Sequence, residues 1–164
     1  TEEYLVNSGL TYTILRINWY TENYLQQLDV VRQTSSLVAA VGQGRIASAT
    51  RADFAAGVAA VLAGTGHEDK VYELGGDYAW NFDELAAAMS EVIGKPVTYQ
   101  PVDAVTLVEI LKGAGLDEGT AGFVAALDGS IAQGVLAETT GDLSKLIGRP
   151  TTGLVEGLGG SARP

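Results

Sequence analysis

Strand-like and helix-like segments alternate through the first hundred residues of this chain, and that alternation restricts the fold more than any other feature. Residues 1 to 9 read as the inside of a helix, with Gly9 just past its end. Leu10 to Arg16 is dominated by β-branched and aromatic residues and has the length of a strand. Trp19 to about Gln33 reads as helix, with Asn18 or Thr21 as its cap and Glu22 as acid in the first turn. Arg45 to Ser48 is a short strand. Thr50-Arg51-Ala52-Asp53 has the form of a capping box, aspartate replacing the usual Glu or Gln, and opens a helix from Phe54 to about Ala63. Lys70 to Leu74 is a strand that ends at Gly75-Gly76-Asp77. Asn81 caps a helix that stops at Gly94, and Val97 to Gln100 is a third short strand.

Beyond Asp103 helices dominate, over about 103–112, 117–128, 142–147 and 151–158, with a loop from Gly129 to Thr140 and a disordered tail over 159–164. The order predicts an α/β fold: the C-terminal part of a Rossmann-type, doubly wound parallel sheet, followed by a small, mainly helical substrate lobe. Residues 1–100 would hold the last strands and helices of the sheet with interleaved lobe segments, and 101–158 the helical lobe. Two parallel strands make a poor sheet and leave an open edge, so partner strands are expected from sequence upstream of Thr1.

Charge and composition exclude several functions. The net charge of −10 repels phosphate backbones, which argues against nucleic acid as a partner. With no cysteine and a single histidine, His67, thiolate and histidine-cluster metal sites have no ligands. No apolar stretch approaches the ~20 residues of a membrane span, so a cytoplasmic protein that does not enter a membrane is expected. Only 7% of residues are aromatic, which suggests a core of close helix packing rather than large side chains.

Three motifs invite a site. Gly113-Ala114-Gly115-Leu116-Asp117-Glu118-Gly119 follows a helix rather than a strand and has the wrong spacing for a dinucleotide fingerprint, so it reads as a helix end and a turn. Gly75-Gly76-Asp77 follows a strand, where a ligand is able to approach, but reads more simply as a strand-ending turn. His67 sits in a polar turn and reads as a solvent-exposed loop residue. The most informative cluster runs from Arg16 through Asn18, Trp19, Tyr20 and Asn23 to Tyr24, immediately after a strand. Its aromatics are suited to stacking on a flat ring, and Asn18 and Asn23 to bonding a carbonyl or carboxamide. Equally, Trp19 and Tyr20 would simply staple the helix start to the core.

These residues carry a resemblance. Gly9 to Arg16 and Trp19 to Tyr24, then Gly44 to Phe54, Gly66 to Leu74 and Leu143 to Thr152, resemble the NmrA-like atypical short-chain dehydrogenase/reductases, bacterial NAD(P)H:quinone oxidoreductase branch, in order along almost the whole chain. The resemblance implies NADPH or NADH as hydride donor, a quinone as acceptor, and a phosphate-binding loop upstream of Thr1 that this chain lacks. It assigns Asn18 and Trp19 to the cofactor, and Trp19, Tyr20 and Asn23 to the substrate; the catalytic residues are unknown. Relatives carry Asn-Gly or Pro-Gly after the arginine, whereas here Ile17-Asn18 displaces the asparagine by one. The family also contains dinucleotide-binding redox sensors without turnover, and this chain by itself is expected to be inactive. A homo-oligomer is compatible with the sequence.

Overall fold

A computed structural model describes residues 1–159. The short helix α1 (Glu2–Val6) leads to strand β1 (Thr13–Ile17), which pairs in parallel with β4 (Lys70–Leu74), Thr13 opposite Lys70 and Ile17 opposite Leu74. Between them lie a turn of 3-10 helix (Thr21–Tyr24), α2 (Leu25–Thr34), β2 (Ser36–Ala39), β3 (Arg45–Ile46) and α3 (Arg51–Ala63). Next come β5 (Trp80–Asn81), antiparallel to β3, then α4 (Phe82–Ile93) and β6 (Thr98–Pro101), parallel to β2. Four helices follow: α5 (Ala104–Gly113), α6 (Glu118–Ala132), α7 (Asp142–Ile147) and α8 (Leu154–Gly159). Among the described residues each ladder stops at two strands. The mixed α/β class and the parallel β1–β4 pair are as the sequence predicts. The tail after Gly159 lies outside the described residues.

Several boundaries differ for local reasons. The strand expected from Leu10 begins only at Thr13, because Gly9 at φ +74° and the Ser8 hydroxyl, which accepts from the Leu10 N–H, prolong the turn after α1. Neither Asn18 nor Thr21 caps the helix; Tyr20 occupies the cap position with no side-chain bond. Glu22 is spent elsewhere: its Oε1 accepts the Arg51 N–H at 2.8 Å, at the start of α3. Thr50 caps α3 as expected, accepting from the Asp53 N–H at 3.1 Å. The reciprocal half of that box is absent, since the shorter Asp53 carboxylate turns to Arg149 and Thr152. At α4 the box is complete, with Glu84 reaching back to the Asn81 N–H. The strand β2 has no sequence signal at all, being serine, alanine and two aliphatics.

The core also differs from expectation. Its main cluster is centred on four aromatics: Tyr24 meets Trp80 edge-on at 5.3 Å and Phe82 at 6.0 Å, and Phe82 meets Tyr99 at 5.6 Å. Leu28, Leu37, Leu85, Met89 and Leu158 fill around them. Aromatics are few, but each buries a large area, so a handful suffices to centre a core. A second cluster of Ala49, Phe54, Leu74 and Leu143 joins α3, β4 and α7.

Candidate functional site

Because β1 and β4 are parallel, their carboxyl ends open on one side, where open α/β sheets receive ligands. A cleft of about 160 Å³ lies there. Arg16 and Asn18 come from the end of β1, Glu73 and Gly75 from the end of β4, and Val135 and Leu136 from the segment after α6. The volume is below the ~300 Å³ at which drug-sized ligands are held, and suits one ring or amide.

Asn18 continues the β1–β4 ladder, its backbone N–H donating to the Leu74 carbonyl at 2.9 Å. Its side-chain Nδ2 donates to the Leu136 carbonyl at 3.3 Å. Its Oδ1 is buried and has no partner. Buried polar atoms are nearly always bonded, so an orphan acceptor in a residue that borders a cleft calls for an explanation.

The other sequence-predicted residues diverge from Asn18. Tyr20 is extended, and it and Trp19 pack against different clusters. Trp19 packs against the aromatic core and borders a second, broader cleft of about 800 Å³. Asn23 borders that same cleft, with Gln26 and Arg51. Tyr20 points toward the other cluster, edge-on to Phe54 at 5.4 Å, with the Arg51 guanidinium 5.2 Å from its ring centre. Trp19 and Asn23 are thus together; Tyr20 and Asn18 each face elsewhere.

At the rim of the small cleft, Arg16 is clamped by Glu2, at 2.9 Å from Nε, and by Glu73. Bonding to Glu2, then to Glu73, holds the guanidinium even more firmly protonated, and the same bond draws the Glu2 carboxyl below its ordinary value. Arg16 is therefore saturated and shapes the rim rather than waiting for an anion.

Sequence reasoning set Gly75 aside as part of a strand-ending turn and missed the 134–138 segment. The glycine pair after β4 was the available signal. A Cβ on Gly76 would stand 2.2 Å from the Ser48 carbonyl oxygen, and one on Gly75 3.2 Å from that of Ala47. Both glycines therefore permit a close backbone crossing. Val135 and Leu136 gave no signal, since only folding brings them to Asn18. His67 is half-buried rather than fully exposed, with Nδ1 at 2.8 Å from the Tyr72 hydroxyl. The glycines at 113–119 form a helix end and turn, as expected, with Gly115 at φ +95°.

The comparisons with known proteins bear on this site. No family model matches the chain. It is 46% identical over 158 residues to quinone oxidoreductase 2 of Escherichia coli K12, a match covering 96% of this chain and 55% of that protein. This likeness agrees with the resemblance that the sequence carries to the NmrA-like short-chain dehydrogenase/reductases.

A solved structure of the NADPH-dependent quinone oxidoreductase from Escherichia coli, complexed with NADPH, superposes with a TM-score of 0.92 at 44% identity, covering 99% of this chain and 57% of that one. The triphenylmethane reductase of Citrobacter sp. complexed with NADP(H) gives a TM-score of 0.90 at 36% identity, covering 96% of this chain and 55% of that one. An NAD(P)H azoreductase of Xenophilus azovorans is 25% identical over 155 residues, covering 94% of this chain and 54% of that protein. The chain spans about half the length of the curated relatives it matches.

Proposed function

We propose that the whole protein is an NAD(P)H-dependent oxidoreductase that reduces a quinone, and that this chain supplies walls of the site where nicotinamide and acceptor meet. The observation that carries the reading is the buried, unpartnered Asn18 Oδ1 at the carboxyl ends of β1 and β4. It fits the carboxamide of a nicotinamide, whose N–H groups are donors of the right kind. The phosphate end is different: among the described residues no glycine-rich turn links a strand to a helix start in the spacing that cradles a pyrophosphate. The likeness to NADPH-dependent quinone oxidoreductase 2 supports the same reading.

The chemistry such a cofactor supplies is a hydride, two electrons with one proton, which together with a proton from solvent turns a quinone into its hydroquinone and leaves the cofactor oxidised. The residues here bind and orient. Asn18 would accept from the carboxamide and fix the plane of the ring. Val135, Leu136 and Leu74 provide apolar surface that keeps water from the reacting face. Trp19 and Asn23 are assigned to substrate through the broader cleft they share. Tyr20 contributes by seating that segment on Phe54. Residues 101–158 are read as the substrate lobe, since α6 delivers Val135 and Leu136.

The test is NADPH oxidation by the whole protein with a simple quinone, followed by Asn18→Ala. A hydrogen bond of this kind contributes about 0.5–1.5 kcal/mol, so the variant should bind cofactor about two- to tenfold more weakly. Unchanged affinity would remove Asn18 from the site. Saturable NADPH binding without any quinone turnover would instead favour a dinucleotide sensor.

A further inference from the structure

Carboxylates outnumber cations in this chain by 20 to 10, so a cation with no carboxylate beside it is the exception. Four of the five described arginines are paired: Arg16 with Glu2 and Glu73, Arg32 with Asp29, Arg45 with Glu84, and Arg149 with Asp53. Arg51 is the fifth. Among the described residues its guanidinium forms no ion pair and no hydrogen bond; it lies over the face of Tyr20, 5.2 Å from the ring centre. Tyr20 is itself held edge-on against Phe54. Stacking on a ring steadies the plane of a guanidinium and leaves the N–H groups at its edge to bond.

The same side chain lines the cleft of about 800 Å³, with Trp19, Glu22, Asn23, Leu25 and Gln26. Glu22 is the one carboxylate of that lining, and it is engaged elsewhere. Its Oε1 accepts the Arg51 backbone N–H at 2.8 Å, and its Oε2 is enclosed. The Asp53 N–H at the start of α3 is likewise taken, by Thr50. The cation left to meet a ligand is therefore the Arg51 side chain, beside apolar surface from Trp19 and Leu25.

We propose that Arg51 sets the substrate class of this cleft: an aromatic acceptor that carries an acidic substituent, a carboxylate or a sulfonate, with its ring against Trp19 and its anion on the guanidinium. The inference rests on the reading of the broader cleft as the acceptor's side of the site. The fork of a guanidinium matches two oxygens of one anionic group with two parallel N–H bonds. A neutral ring meets the apolar wall equally well but leaves the guanidinium to water.

The experiment gives the whole protein NADPH with either 1,2-naphthoquinone or 1,2-naphthoquinone-4-sulfonate, and measures kcat/KM for the unaltered protein, Arg51→Gln and Arg51→Lys. The two quinones differ in reduction potential, so the readout is the ratio of sulfonated to plain quinone, compared across the three proteins. Arg51→Gln should lower that ratio about three- to fivefold, through KM, as expected for one ion pair at an exposed site. Arg51→Lys keeps the charge and should retain part of the preference. A ratio that Arg51→Gln leaves unchanged, or one that Arg51→Lys lowers just as far, would overturn the assignment.

A second measurement involves no quinone. Calorimetry of naphthalene-2-sulfonate should show binding to the unaltered protein about three- to fivefold tighter than to Arg51→Gln. Equal binding would overturn the anion site whatever the turnover. Absence of turnover with both quinones, alongside tighter sulfonate binding to the unaltered protein, would instead sink the quinone reading and leave the Arg51 site standing.

Discussion

Asp53 and Asp128 are both buried carboxylates, but Asp53 is ringed by donors while Asp128 meets a single backbone N–H. Asp53 has no exposed surface; Arg149 Nη2 reaches its Oδ1 at 2.6 Å and the Thr152 N–H its Oδ2 at 2.8 Å. Burial pushes its pKa up, but the Thr152, Arg149 and Thr50 bonds outweigh burial and the carboxyl ends below its ordinary 3.8. Asp128 accepts only the Ala40 N–H, at 2.7 Å, and burial wins: its carboxyl is pushed above the same value. The two act as joints. Asp53 fastens residues 149–152 to α3, beside a reciprocal pair in which Asp77 and Thr151 exchange bonds of 3.0 and 2.8 Å. Asp128 fastens α6 to the end of β2, and the chain leaving α6 walls the Asn18 cleft. The cleft wall therefore hangs from the weaker joint, while the stronger one serves the frame.

The largest effect is expected from breaking the stronger joint. Asp53→Ala should destabilise the chain by about 2–4 kcal/mol, less than loss of a fully buried ion pair because Arg149 is half exposed and recovers water. Urea unfolding measures it, and a loss under about 1 kcal/mol would contradict the contrast with Asp128.

The weaker joint divides into a bond and a charge. Asp128→Ala strands the Ala40 N–H and should cost about 1–3 kcal/mol. Asp128→Asn keeps an oxygen for that N–H and removes the poorly compensated charge, so it should lie within about 1 kcal/mol of the unaltered chain, on either side. Comparable losses in both variants would mean that the charge itself holds α6, against the argument above.

How far such joints are legible in sequence follows from their range. The box at Asn81 and Glu84 lies within one helical turn and was readable in full; so was the parallel pair β1–β4, whose residues carry their own strand preference. At Thr50 and Asp53 the local pattern was only half right, because Arg149, 96 residues away, competes for the carboxylate. The strand β2 was illegible because its pairing with β6, not its composition, makes it a strand. At the candidate site Asn18 was readable from its place after β1. Leu136, 118 residues on, was not, and neither was the divergence of Trp19 and Tyr20, which depends on the extended backbone between them.

The smallest effect, and the sharpest test of the contrast, is in pH. A depressed carboxyl contributes stability above its unfolded value and loses it as pH falls through the lower, folded one. Asp53→Asn should therefore cost a constant amount between pH 5 and 7 and progressively less below about 4, where the unfolded chain's carboxyl takes up a proton while the folded one stays ionised, until the folded one protonates as well. A raised carboxyl has the opposite sign: the folded chain resists ionisation, so a penalty builds as pH climbs from about 4 through the raised value. Asp128→Asn removes that penalty and should gain on the unaltered chain from pH 4 toward 7, with no gain below 4. Urea midpoints for the three chains across this range decide it. Curves that shift in parallel for both variants would show that the two carboxylates titrate alike, and the distinction between a saturated joint and a strained one would be lost.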